Sequence, residues 1–144
     1  MSDTDWASKQ AEIRKRVDSA FAVLREHLLK DADTTSESKC SITKDSETLE
    51  PVGVRIIYTF SSVFKELEGT TLVSTKIPFK FFISITYLSE DAYRIIISPC
   101  CEVFQQDFVE QLSLRGIKLN NTKDRRYYYS IKTFNLEEAI KSLL

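Results

Sequence analysis

The sequence predicts an α+β fold: an antiparallel sheet of about four to six strands, with a long N-terminal helix, one middle helix and a short C-terminal helix. Three observations predict it. Apolar residues recur at helical spacing near the start, β-branched and aromatic residues alternate through the middle, and two later stretches carry helix-start signals. The clearest stretch is residues 79–97, where two such runs flank the polar break Ser89, Glu90 and Asp91, as in a hairpin. Phe79, Phe81, Ile83, Ile85 and Tyr87 share one face, which Tyr93, Ile95 and Ile97 extend. The opposite face holds Lys80, Ser84, Thr86 and Arg94, but also Phe82, Leu88 and Ile96, so something is expected to cover part of it.

Residues 1–31 form the first expected unit, an amphipathic helix. Trp6, Ile13, Val17, Ala20, Phe21, Leu24 and Leu28 recur at steps of three, four or seven, and the charged residues lie mostly elsewhere. Asp3 and Asp5 suit the positive end of its dipole. The stripe is narrow, roughly 100° wide. It fits two uses: docking on the sheet of its own chain over Phe82, Leu88 and Ile96, or a seam between two copies. Self-association through Trp6, Ile13, Val17, Leu24 and Leu28 is the expectation, giving a homodimer.

Residues 32–50 read as a flexible linker. From position 31 to 50 there are six acids and two bases, and eight of the sixteen residues at 33–48 are Ser or Thr. So little apolar surface does not offset the entropy of ordering. Residues 51–144 form the expected α+β domain. Val52, Val54, Ile56, Tyr58 and Phe60 alternate as in a strand, although a helical face also passes through 52–67; a strand to Phe60 followed by a helical turn is favoured. Residues 70–77 read as a further strand, with Pro78 as a break. Ser98 and Pro99 resemble an N-cap and first helical residue, with Cys101, Phe104, Phe108 and Leu112 as a buried stripe and Gly116 closing the helix. Residues 117–119 and 125–134 read as a second hairpin. Asn135 and Glu138 then resemble a capping box opening a last helix to Leu144.

Chemistry is sparse. His27, the one histidine, lies on a charged helix flank, where a solvated role is expected rather than that of a base. Cys40, Cys100 and Cys101 do not build a zinc set, and Gly53, Gly69 and Gly116 are too scattered for a phosphate loop. Cys100, in the first turn of the expected middle helix, is the one nucleophile with a physical rationale. The expectation is no enzyme, no cofactor and no metal.

Binding has one local signal. Arg115, Lys118, Lys123, Arg125, Arg126 and Lys132 meet one acid, Asp124, and Tyr127, Tyr128 and Tyr129 lie among them. A partner surface is therefore expected at Lys118, Lys123, Arg125, Arg126, Tyr127 and Tyr129. Tyr and Arg are favoured anchors for a protein partner, and cations beside rings also suit nucleic acid as the second choice. Bulk charge, 20 bases against 21 acids, draws the chain to neither nucleic acid nor membrane. No apolar run approaches the ~20 residues of a membrane span. An acidic start and three cysteines unable to pair off point to a cytoplasmic or nuclear protein. The function expected is a non-enzymatic protein-interaction module of the adaptor, inhibitor or chaperone kind.

Overall fold

The computed structural model describes residues 3–65, 77–100, 105–119 and 129–144. Helix α1 (Asp3–Leu29) precedes strands β1 (Thr35–Lys44), β2 (Pro51–Val63), β3 (Pro78–Ser89) and β4 (Ala92–Pro99). Helix α2 (Gln105–Leu114), strand β5 (Tyr129–Thr133) and helix α3 (Leu136–Lys141) complete the chain. All five strands lie in one antiparallel sheet in sequence order, β1-β2-β3-β4-β5. The fold is α+β.

Period-two alternation sends Val54, Ile56, Tyr58 and Phe60 of β2 to the same face as Phe79, Phe81, Ile83 and Ile85 of β3, with Ile56↔Ile85, Tyr58↔Ile83 and Phe60↔Phe81 paired across the ladder. The three helices cover this inner face, and their apolar residues join it in one core. Rings run through the core in sequence. Phe21 stacks on Tyr58 with centroids 3.9 Å apart, Phe60 stacks on Phe81 at 5.2 Å, and Phe79 meets Phe108 at 5.9 Å.

The 32–50 segment is corrected by β1, which holds a ten-residue register with β2 from Thr35↔Ser61 to Lys44↔Pro51. An edge strand needs little apolar surface, because pairing on one side satisfies its backbone and only alternate residues face the core. Cys40 supplies that small contribution, packed against the core opposite Ile56. The turn after β1 is held by Asp45, whose side chain accepts from the N–H groups of Glu47 and Thr48 at 2.8 and 3.0 Å. These bonds hold its carboxyl below the usual range. Helix α1 is likewise not a separate unit. Ile13, Val17, Phe21, Leu24 and Leu28 are buried in the shared core.

Other boundaries move for identifiable reasons. Ser61, Ser62 and Val63 continue β2 instead of starting a helical turn, because β3 offers them partners as far as Val63↔Pro78. Residues 66–68 and most of the strand expected at 70–77 lie outside the described residues; Ile77 is not in a strand. Pro78 opens β3, a strand-start position that tolerates its missing N–H. Pro99 ends β4 opposite Phe81, and the Cys100 N–H donates to the Lys80 carbonyl at 2.8 Å. Ladder pairing thus overrides the helix-start signal. Cys101 and Phe104 lie outside the described residues.

The expected second hairpin is replaced by pairing of β5 with β4, from Ile97↔Tyr129 to Tyr93↔Thr133. Residues 117–119 are not a strand; the Lys118 N–H donates to the Leu143 carbonyl at 2.8 Å. Two short-range signals appear as expected. Asn135 caps α3, accepting from the Glu138 N–H at 3.2 Å. Gly116 ends α2 at φ +81, and a Cβ there would lie 2.4 Å from the His27 ring.

Candidate interaction surface

Arg115 is the first of the basic run and the least available of it. It is buried, its guanidinium donating to Gln111 Oε1 at 2.9 Å, to the Gln111 carbonyl at 2.7 Å, to Ser62 Oγ at 3.1 Å and to the Val63 carbonyl. Its charge lies 4.6 Å from the Phe79 ring centroid. Gln111 also clamps Lys65, accepting from its N–H at 2.9 Å and donating to its carbonyl at 3.1 Å. Lys65 Nζ pairs with Asp31 Oδ2 at 2.6 Å, which holds the Asp31 carboxyl below its ordinary range. His27 donates from Nε2 to the Arg115 carbonyl at 2.9 Å, correcting its expected solvated role. These groups tie the ends of α1, β2 and α2 together, and their donors point at one another. The arrangement is a structural joint.

The residues expected to bind a partner are dispersed. Lys118 is exposed, but Tyr129 is buried against the core, and burial pushes its hydroxyl pKa up. Tyr129 is therefore not a stacking platform, because it is buried in the shared core, opposite Ile97 in the ladder. Lys123, Arg125, Arg126 and Tyr127 lie outside the described residues. The self-association stripe is taken up inside the chain: Ile13, Val17, Leu24 and Leu28 are buried, and Trp6 packs beside them. It rests on the inner face, as the Phe21–Tyr58 stack requires, and not over Phe82, Leu88 and Ile96.

Two hollows flank α1. One, of about 240 Å³, lies beside Asp18, Arg25 and Tyr58. There the Tyr58 hydroxyl donates to Asp18 Oδ1 at 2.5 Å, and burial, then the Asp18 carboxylate, raises the Tyr58 pKa. The other, of about 390 Å³, lies between the start of α1 and the β3–β4 turn. Arg16 pairs with Asp91 at 3.2 Å and lies over the Tyr93 ring, while Lys9 lies over Tyr87. These contacts latch the helix to the hairpin. Neither hollow contains a cysteine or histidine. Cys100 follows β4 with its N–H on the Lys80 carbonyl, and residues 101–104, on which the expected helix start depends, lie outside the described residues. Among the described residues there is no group of three metal-ligating side chains, and no helix is long and apolar enough to cross a membrane.

The outer face of the sheet is different. No helix among the described residues covers it. Register places Arg55, Thr86, Arg94 and Lys132 side by side across β2 to β5. The next row contains Lys39, Ile57, Ser84, Ile96 and Ser130, and the one beyond it Glu37, Thr59, Phe82 and Ser98. Ile57, Phe82 and Ile96 are half-buried and stand outside the core that the helices cover. Arg55 donates to Ser84 Oγ at 3.0 Å and Arg94 to Ser130 Oγ at 3.3 Å, which orients both guanidinium groups along the sheet. Phe134 follows β5 with 69% exposure, and Lys132 lies over its ring. Alternation alone places Lys80, Arg94, Phe82 and Ile96 together; the contribution of Arg55 and Lys39 needs the strand order.

No family model, curated protein or solved structure matches the chain.

Proposed function

We propose that the protein is a non-enzymatic interaction module that docks a partner protein on the outer face of its sheet. One observation supports this above the others: the three described helices pack on the inner face, leaving Ile57, Phe82 and Ile96 opposite with no helix among the described residues over them. Partly exposed apolar side chains ringed by charge are the composition of a protein-docking patch. Nucleic acid is the weaker reading, since Arg115 and Tyr129 of the basic run are buried. A cytoplasmic or nuclear setting belongs to the same proposal.

Site-specific photo-crosslinking in the native cells tests it. A benzoylphenylalanine in place of Phe82 is expected to give an adduct with another polypeptide, and one in place of the exposed Ser19 on α1 is not. A nuclease-sensitive adduct at 82, or stronger labelling from 19, overturns the reading. An adduct of twice the chain mass identifies the partner as a second copy.

A further inference from the structure

We infer that the segment recognised on this face is an acidic, amphipathic peptide of a partner protein; the inference rests on the docking reading above. The face carries Lys39, Arg55, Lys80, Arg94 and Lys132 against one acid, Glu37, in a chain whose net charge is −1. Its complement is therefore negative, while the remainder of the chain is acidic. None of the five cations is paired with a carboxylate among the described residues.

Charge on a sheet commonly protects an edge from pairing with other chains, and that accounts for Lys39 on β1 and Lys132 on β5. It does not account for Arg55 and Arg94, which stand on the interior strands β2 and β4. Each spends one donor on a serine hydroxyl, and their remaining donors form forks suited to carboxylates. The apolar row of Ile57 and Ile96 lies two residues along the strands from the cationic row, roughly 7 Å away. A ligand spanning both rows must carry acids on one side and apolar side chains on the other. A nucleic-acid strand answers the cations equally well, but stacking needs rings. The middle of this face has one, Phe82, between Thr59 and Ser98.

Selection of a random dodecapeptide phage library on the immobilised full-length chain provides the test, with a labelled twenty-nucleotide dT strand in parallel. The expected pool is enriched in Asp and Glu interspersed with Leu, Ile or Phe. A synthetic peptide from it should lose affinity by about tenfold or more in Arg55→Glu with Arg94→Glu, and also as salt rises. Ile57→Ser with Ile96→Ser should weaken it too, with circular dichroism confirming that both variants fold. A pool without acid enrichment that still depends on Ile57 and Ile96 overturns the acidic chemistry and leaves the docking reading standing. Peptides indifferent to both variants, no selected peptides, or preferential binding of dT overturn both.

Discussion

On the inner face of the sheet alternate side chains meet a helix layer; on the outer face the same strands meet no helix among the described residues. Phe81 and Phe82 reduce the contrast to one peptide bond. Phe81 is fully buried between Phe60, Phe79 and Phe108, whereas Phe82 is half-buried among serines, threonines and isoleucines. The inner face is filled by buried rings and aliphatic side chains, the outer by isolated apolar groups between cations. An apolar side chain is therefore enclosed in the core on one face and left half-buried on the other.

The largest effect should come from breaking the inner side. Phe81→Ala is expected to cost about 3–5 kcal/mol, while Phe82→Ala should cost no more than about 1 kcal/mol. Urea unfolding of the two variants measures this directly, and equal losses would erase the distinction between the faces. Cations sharpen the same comparison. Arg115→Leu leaves the acceptors on Gln111, Ser62 and Val63 without their donor, and should cost about 2–4 kcal/mol.

The hydroxyl of Tyr58 gives an inner-face effect that depends on pH. Burial, and secondarily Asp18, keeps it protonated in the folded chain above its ordinary value of 10.0, while the unfolded chain releases the proton there. Its contribution is complete below pH 10 and falls as pH rises further, by up to about 1.4 kcal/mol per pH unit. Tyr58→Phe should make the alkaline limb of a stability–pH curve shallower, with buried Tyr93 and Tyr129 supplying the rest. An unchanged limb would contradict the burial of this hydroxyl. The smallest effect belongs to the outer face: Arg94→Ala should change stability by less than about 1 kcal/mol, read from the same unfolding midpoints. A loss matching that of Arg115→Leu would make Arg94 a structural residue and remove it from the binding surface.

Strong periodicity made the central hairpin and α1 legible in the sequence. Local capping chemistry did the same for Asn135 and Gly116. β1 was hidden because an edge strand can be polar, so its composition resembles a linker until β2 is placed beside it. Pro99 carried a genuine helix-start signal that long-range pairing with Phe81 overrode. His27 looked solvated and Arg115 part of a basic surface because charge along a sequence does not reveal burial. The distant contacts of each, Arg115 with Ser62 and Val63 and His27 with Arg115, span 52 to 88 positions. The outer face was half legible. Alternation grouped Phe82, Ile96, Lys80 and Arg94, but both faces carried apolar residues, so it left open which one α1 would cover.

The strand order has a consequence for how the chain is made. Every neighbour in the sheet is also the next strand in sequence, so each hairpin can close as soon as its second strand is synthesised. The helix layer follows another order, because α1, made before the strands, packs against α3, made after them. Until α3 has been made, α1 therefore lacks that neighbour, even when the strands beneath it have paired. The sheet can thus pair before its helix layer is complete, and a nascent chain stalled before α3 would display core side chains to chaperones.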